Sequence, residues 1–165
     1  MLLRLAKTLL VAAEAFFLLI VFVNNLTDYD SNFQFVRHVL SMDTTFPGNQ
    51  LKWRALTAPA IHHLFYASII LWEGTACVLL ATGALRMFRA RRAGGPGWQQ
   101  AKALATAGLT LSLLQWFTAF ITIGGEWFLM WQSSTWNGQE AAFRLFVIMA
   151  LTLVFLNQRE EPPIA

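Results

Sequence analysis

Residues 5–26 read LAKTLLVAAEAFFLLIVFVNNL, and this stretch decides the fold. A bilayer core of ~30 Å takes about 20 mostly apolar helical residues, which this stretch supplies. Hydrocarbon offers no partner to an open backbone group, so a crossing segment of this kind is a helix. Three further stretches qualify, at 58–85, at 103–127 with apolar and aromatic residues continuing to 131, and at 140–156. The expectation is an all-α chain: a four-helix transmembrane bundle forming a single membrane domain over residues 1–165.

The composition agrees. The chain is 56% hydrophobic and 13% charged, whereas a soluble domain carries about 25% charged residues. The one cysteine, Cys77, excludes an intramolecular disulfide and any CxxC site. Net charge is +3, but the basic cluster is short and lies between apolar runs, which argues against nucleic acid as a partner. Arg4 and Lys7 before the first apolar run could open a signal peptide. Glu14 at the centre of that run, and VNNLTDYD at its end in place of a small-residue cleavage site, favour a retained anchor.

Lys and Arg placement sets the orientation. With the N-terminus inside, the inner segments hold eight basic residues: Arg4, Lys7, Arg86, Arg89, Arg91, Arg92, Lys102 and Arg159. The outer segments hold Arg37, Lys52 and Arg54, with Arg144 just inside the fourth span. The reading is a multi-pass inner-membrane protein with both termini cytoplasmic. The dense run RMFRARR, 86–92, fits a topology determinant and could also meet anionic head groups. Gly94, Gly95, Pro96 and Gly97 are read as the turn into the third span. Trp53, Trp98, Trp127, Trp131 and Trp136 fall where an aromatic belt belongs. The tail NQREEPPIA is expected to be loose.

The longest connection, 27–57, holds SNFQFVRHVLSMD, which predicts a short amphipathic helix capped by Asp30 or Ser31. Phe33, Val36 and Leu40 share one face, with Phe35, Val39 and Met42 beside it. Such a helix lies on the membrane surface or covers the mouth of the bundle. Asp28-x-Asp30-x-Asn32 resembles the start of a calcium loop, but Phe33 and Val39 stand where that loop needs Gly and a carboxylate. No metal site is expected there.

Ionisable groups within spans are costly and mark function by default. Glu14 lies ~14 Å along the first helix, Glu73 ~20 Å from the Arg86 end of the second and Gln115 ~18 Å into the third. They define a candidate mid-membrane polar layer. Without a basic residue at that depth, Glu14 and Glu73 are expected to be protonated, to share a proton, or to meet a group from another chain. One reading is a proton or cation relay. The other, preferred, is interhelical hydrogen bonding helped by Ala12, Ala13, Ala15 and Gly74.

A second candidate region is an outer vestibule of Asn24, Asn25, Asp28, Asp30, His62, His63, Glu126 and Arg144. Adjacent histidines point about 100° apart on a helix, so His62 and His63 suit hydrogen bonding better than a shared metal, for which i, i+4 pairs are the rule. Glu140 and Arg144 are spaced to pair at i, i+4.

The phrases NNLTDYDSNFQFVRHVLSMDTTFPGNQLKWRAL, HHLFYASIILWEGTACVLLATGALRM and GGEWFLMWQSSTWNGQEAAFR resemble the bacterial small integral membrane proteins grouped as domain of unknown function 2165. The resemblance covers nearly the whole chain. It implies four spans and an inner-membrane address, and it carries no activity to any residue.

Three functions compete. The first is a non-enzymatic accessory or scaffold subunit packed against a larger membrane complex or its own copies, which a small chain without a soluble domain suits. The second is a small proton- or ion-coupled transporter with Glu14 and Glu73 as a carboxyl pair, although the halves show no inverted repeat. The third is an enzyme acting on lipid or quinone beside Trp72 and Trp116. The sequence carries no GxSxG or HExxH and calls for no cofactor and no catalytic residue.

Overall fold

The computed structural model describes residues 1–158, and among these there is helix but no strand. The tail from Arg159 onward lies outside the described residues. The chain opens with α1 (Leu2–Thr27) and turns at once into α2 (Tyr29–Ser41). After a loop with a 3-10 turn at Lys52–Arg54 it runs through α3 (Pro59–Ala90). The next crossing has three pieces: α4 (Gly95–Ala101), α5 (Ala103–Leu114) and a π-helix (Gln115–Trp127). A short link with a second 3-10 turn, Met130–Gln132, leads to α6 (Gln139–Asn157). Four helical segments, Leu2–Thr27, Pro59–Ala90, Gly95–Trp127 and Gln139–Asn157, are long and apolar enough to cross a membrane.

Neighbours in sequence are neighbours in space. The α1 helix packs on α3, α3 on α5, and α5 with the π-helix on α6, while α6 returns to α1. The α3–α5 contact is a close backbone approach: a Cβ on Gly83 would fall 2.5 Å from the Ala105 nitrogen, and one on Gly108 would fall 2.8 Å from the Leu80 side chain. Small residues permit this approach, and dispersion and packing drive it where lipid removes the hydrophobic incentive.

Two cores result. One runs through the spans around Val11, Leu18, Leu80, Leu109 and Met149. The other lies where α2 roofs the bundle: Val36, Val39, Leu40 and Met42 are buried against Tyr66, Ile70 and Phe128. Burying such side chains contributes about 1.5–3 kcal/mol each. Of the face read from the sequence, Val36, Val39, Leu40 and Met42 are buried and Phe33 and Phe35 half-buried, and α2 covers the bundle mouth.

The cap expected at Asp30 or Ser31 is not there. The α2 helix begins at Tyr29 with Asp28 as N-cap and no side-chain capping bond. Asp28 is also the C-cap of α1, its N–H donating to Asn24 O at 2.8 Å. A one-residue joint between two helices leaves no free loop for a capping side chain, and Asp30 instead accepts from Gln34 at 3.0 Å. The glycine turn also differs. Gly95, Pro96 and Gly97 form the first turn of α4, because proline's fixed φ suits that position and its missing N–H costs nothing there. The α3 helix continues past Leu85 to Ala90, since no helix breaker occurs before Gly94.

At the end bearing the chain's first and last helical turns, basic side chains hold helix C-termini. Lys7 Nζ donates to Gln158 O at 2.9 Å and Lys102 Nζ to Leu156 O at 3.0 Å. Arg4 donates to Ala93 O at 2.7 Å while stacking on Trp98. The last carbonyls of a helix lack intrahelical donors and carry partial negative charge, so cations there stabilise it.

Candidate functional site

The site forms at the loop end, under α2. Asn25, in the last turn of α1, is 6% exposed and joins three elements. Its Nδ2 donates to Glu73 Oε2 at 2.6 Å. Its Oδ1 accepts from Asn32 Nδ2 of α2 at 2.8 Å and from the Tyr66 hydroxyl of α3 at 3.2 Å. Glu73, 2% exposed, has no hydrogen bond to Oε1 among the described residues. These groups line a chamber of about 270 Å³ whose walls include Asn24, Phe35, Trp116 and Phe120. The Trp116 Nε1–H is buried without a hydrogen-bond partner among the described residues.

A second, apolar chamber of about 170 Å³ adjoins it, lined by Phe65, Trp72, Ala119, Phe128 and Met130. Phe35, Val36, Ile69 and Phe120 border both. The π-helix supplies much of the shared wall. Its N–H groups reach back five residues, as Phe128 N to Ile123 O at 2.9 Å shows at its end. Gln115, Trp116, Gly124 and Gly125 are buried and Phe120 half-buried, a spacing wider than the α-helical 3.6. Such segments within helices are frequent at functional sites.

The structure separates the expected polar layer. Phe22 lies over Gly74, 2.8 Å from where a Cβ would stand, which sets Glu73 level with Phe22. Glu14 is then about 12 Å away along α1. It is buried, faces Thr152 of α6 without hydrogen-bond geometry, and neither carboxyl oxygen has a partner. Leu18 and Leu80 occupy the core between the two levels. Gln115 is nearer Glu73: its amide reaches Ile69 O at 3.5 Å. Glu73 and Gln115 therefore share the loop-end half, while Glu14 stands alone.

The vestibule residues also divide. Asn24 and Asn25 line the chamber. Asp28 and Asp30 are exposed beyond it. His62 is buried and donates through Nε2 to Leu56 O at 2.7 Å, tying the loop to α3. His63 stacks on Phe33 at 4.2 Å and meets the Tyr29 hydroxyl at 2.9 Å. Glu126 is exposed, 3.5 Å from the Gln139 amide. Arg144 and Glu140 are both exposed, and among the described residues no ion pair joins them. Water or head groups can solvate both, so the favourable spacing is not enough to fix a pair. No three His, Cys, Asp or Glu side chains among the described residues could hold one metal ion.

Tyr66 and Asn32 were missed as site residues. Tyr66 had a signal: Tyr66, Ile70, Glu73, Cys77 and Leu80 follow helical spacing, so Tyr66 lies on the face of Glu73. Asn32 had none beyond its polarity.

Four spanning helices around a buried polar chamber define an integral membrane protein. The chain belongs to the family described as predicted small integral membrane protein (DUF2165), which matches residues 3–159. No curated protein and no solved structure shows significant similarity to it.

Proposed function

We propose that the protein is a non-enzymatic accessory subunit of a bacterial inner membrane, with both chain ends cytoplasmic and α3 seated against a helix of a larger complex. The orientation is supported by the eight-to-four distribution of Lys and Arg. The docking face is supported by one contrast between the spans. The exposed faces of α1 and α6 are bulky, with Phe16, Ile20, Phe143, Leu151 and Val154. The outward side of α3 instead repeats small residues every seven positions, exposed at Ala67 and Ala81 and half-buried beside Phe22 at Gly74, next to exposed Leu64, Leu71, Val78 and Leu85. A groove of about 450 Å³ opens at Gly74 between Leu19, Phe22 and Val78. A seven-residue repeat of small side chains lets a second helix approach closely along its length.

The test is a photo-crosslinking amino acid at position 71 or 78, activated in native membranes, with position 151 as control. A single discrete protein adduct at 71 and 78 and none at 151 is expected, with loss of the adduct in Ala81→Leu. Lipid adducts alone at all three positions would refute the reading, and an adduct between two copies would replace it with a homo-oligomer. A transporter with a mid-membrane carboxyl pair draws less support, because its two acids stand about 12 Å apart along the helices.

A further inference from the structure

The two chambers under α2 have a use that the docking of α3 does not involve. One is polar and ends on a carboxyl group; the other is lined by aromatic and aliphatic side chains, and the two share a wall. The geometry points to a binding site for an amphipathic amine, its cationic head at Glu73 and its apolar body beneath Phe35 and Phe120.

Four observations carry this. Glu73 is a buried carboxyl that lines the cavity with one oxygen lacking a partner, and no Lys or Arg shares that lining. Asn24 lines the same cavity, and its side-chain carbonyl, an acceptor for N–H donors, has no hydrogen bond among the described residues. Phe35, Tyr66, Trp116 and Phe120 surround the head-group space, and aromatic faces attract cations. The adjoining chamber offers polar atoms almost nowhere: its Ser68 hydroxyl is turned to Phe65 O at 2.7 Å and its Trp72 indole N–H to Leu111 O at 2.9 Å. A head-group demand for positive charge and a body demand for apolar bulk together describe one ligand class. A few placed polar groups in a mainly apolar cavity is the usual design of small-molecule sites.

The experiment compares 4-phenylbutylamine with 4-phenylbutan-1-ol, matched in shape but not in charge. Both are titrated calorimetrically into the full chain in phosphatidylcholine nanodiscs, with empty discs subtracted. The amine is expected to bind about tenfold tighter than the alcohol or better. Glu73→Gln should erase that preference while leaving alcohol binding, and Ala119→Phe, which fills the apolar chamber, should weaken both. Equal affinity of the two probes for the native chain, a tighter alcohol, or no heat above empty discs would each overturn the assignment. So would an amine preference that survives in Glu73→Gln. The comparison on the native chain decides the matter even if a variant fails to fold.

Discussion

At the scale of single residues, Asn25 connects three helices through one amide. Removing it takes the donor from buried Glu73 and the acceptor from the Asn32 amide, while the Tyr66 hydroxyl keeps the Asn25 backbone carbonyl at 3.2 Å. Leaving a buried polar group unsatisfied costs about 1–3 kcal/mol. Asn25→Leu is therefore expected to destabilise the bundle by at least that amount, read as a lowered unfolding midpoint in detergent. Glu73→Gln keeps an acceptor for the same amide and should change stability by less than about 1 kcal/mol. If the two variants were equally damaging, the charge and not the amide would be the organising group. That Glu14 and Glu73 are acids buried within spans was legible, because an acid within an apolar run stands out. That they stand apart was not. Their relative depth depends on the axial register of α1 against α3, which is set by contacts such as Phe22 over Gly74 and Cys77 Sγ to Ala15 O at 3.4 Å. No spacing within one helix encodes such a contact.

At the scale of elements, each span could be read from hydropathy, and α2 from its periodicity. The π-helix could not. QWFTAFITIGGEW is apolar enough to be read as a continuing α-helix, and the wider register appears only once Trp116, Phe120 and Gly124 all face the interior. The ends of the elements were read less well than their middles, because Asp28 serves two helices at once and Pro96 starts a helix instead of ending a turn. Two predictions belong here. Gly83→Leu would drive a side chain into the backbone at Ala105 and force α3 from α5, with an expected loss of about 1–3 kcal/mol. Gly97→Ala, whose new Cβ would stand 3.3 Å from the Ala93 side chain in the first turn of α4, should be nearly neutral in the same thermal assay. A gain in both would show that helix propensity, not close approach, governs this crossing.

At the scale of the whole molecule, four crossings place Met1 and Gln158 on one side. In the orientation proposed from the basic bias, that side faces the cytoplasm. A reporter active only in the periplasm, fused after Ala165, is expected to be silent, and the same reporter inserted at Gly48 to be active. The Gly48 position is suited to an insertion: it lies in the loop between α2 and α3, is exposed and has open space around it. The reverse pattern would invert the protein and put the polar chamber on the cytoplasmic face.

The bond from Lys7 to Gln158 spans 151 positions, so the first helix is latched by nearly the last residue of the fourth. During synthesis α1 enters the membrane long before its counterpart exists. Until α6 arrives, the flank that will receive it remains open, with Glu14 and Lys7 turned toward an empty place. A ribosome that stalls before residue 139 would leave a protein whose unfinished side differs chemically from every finished one.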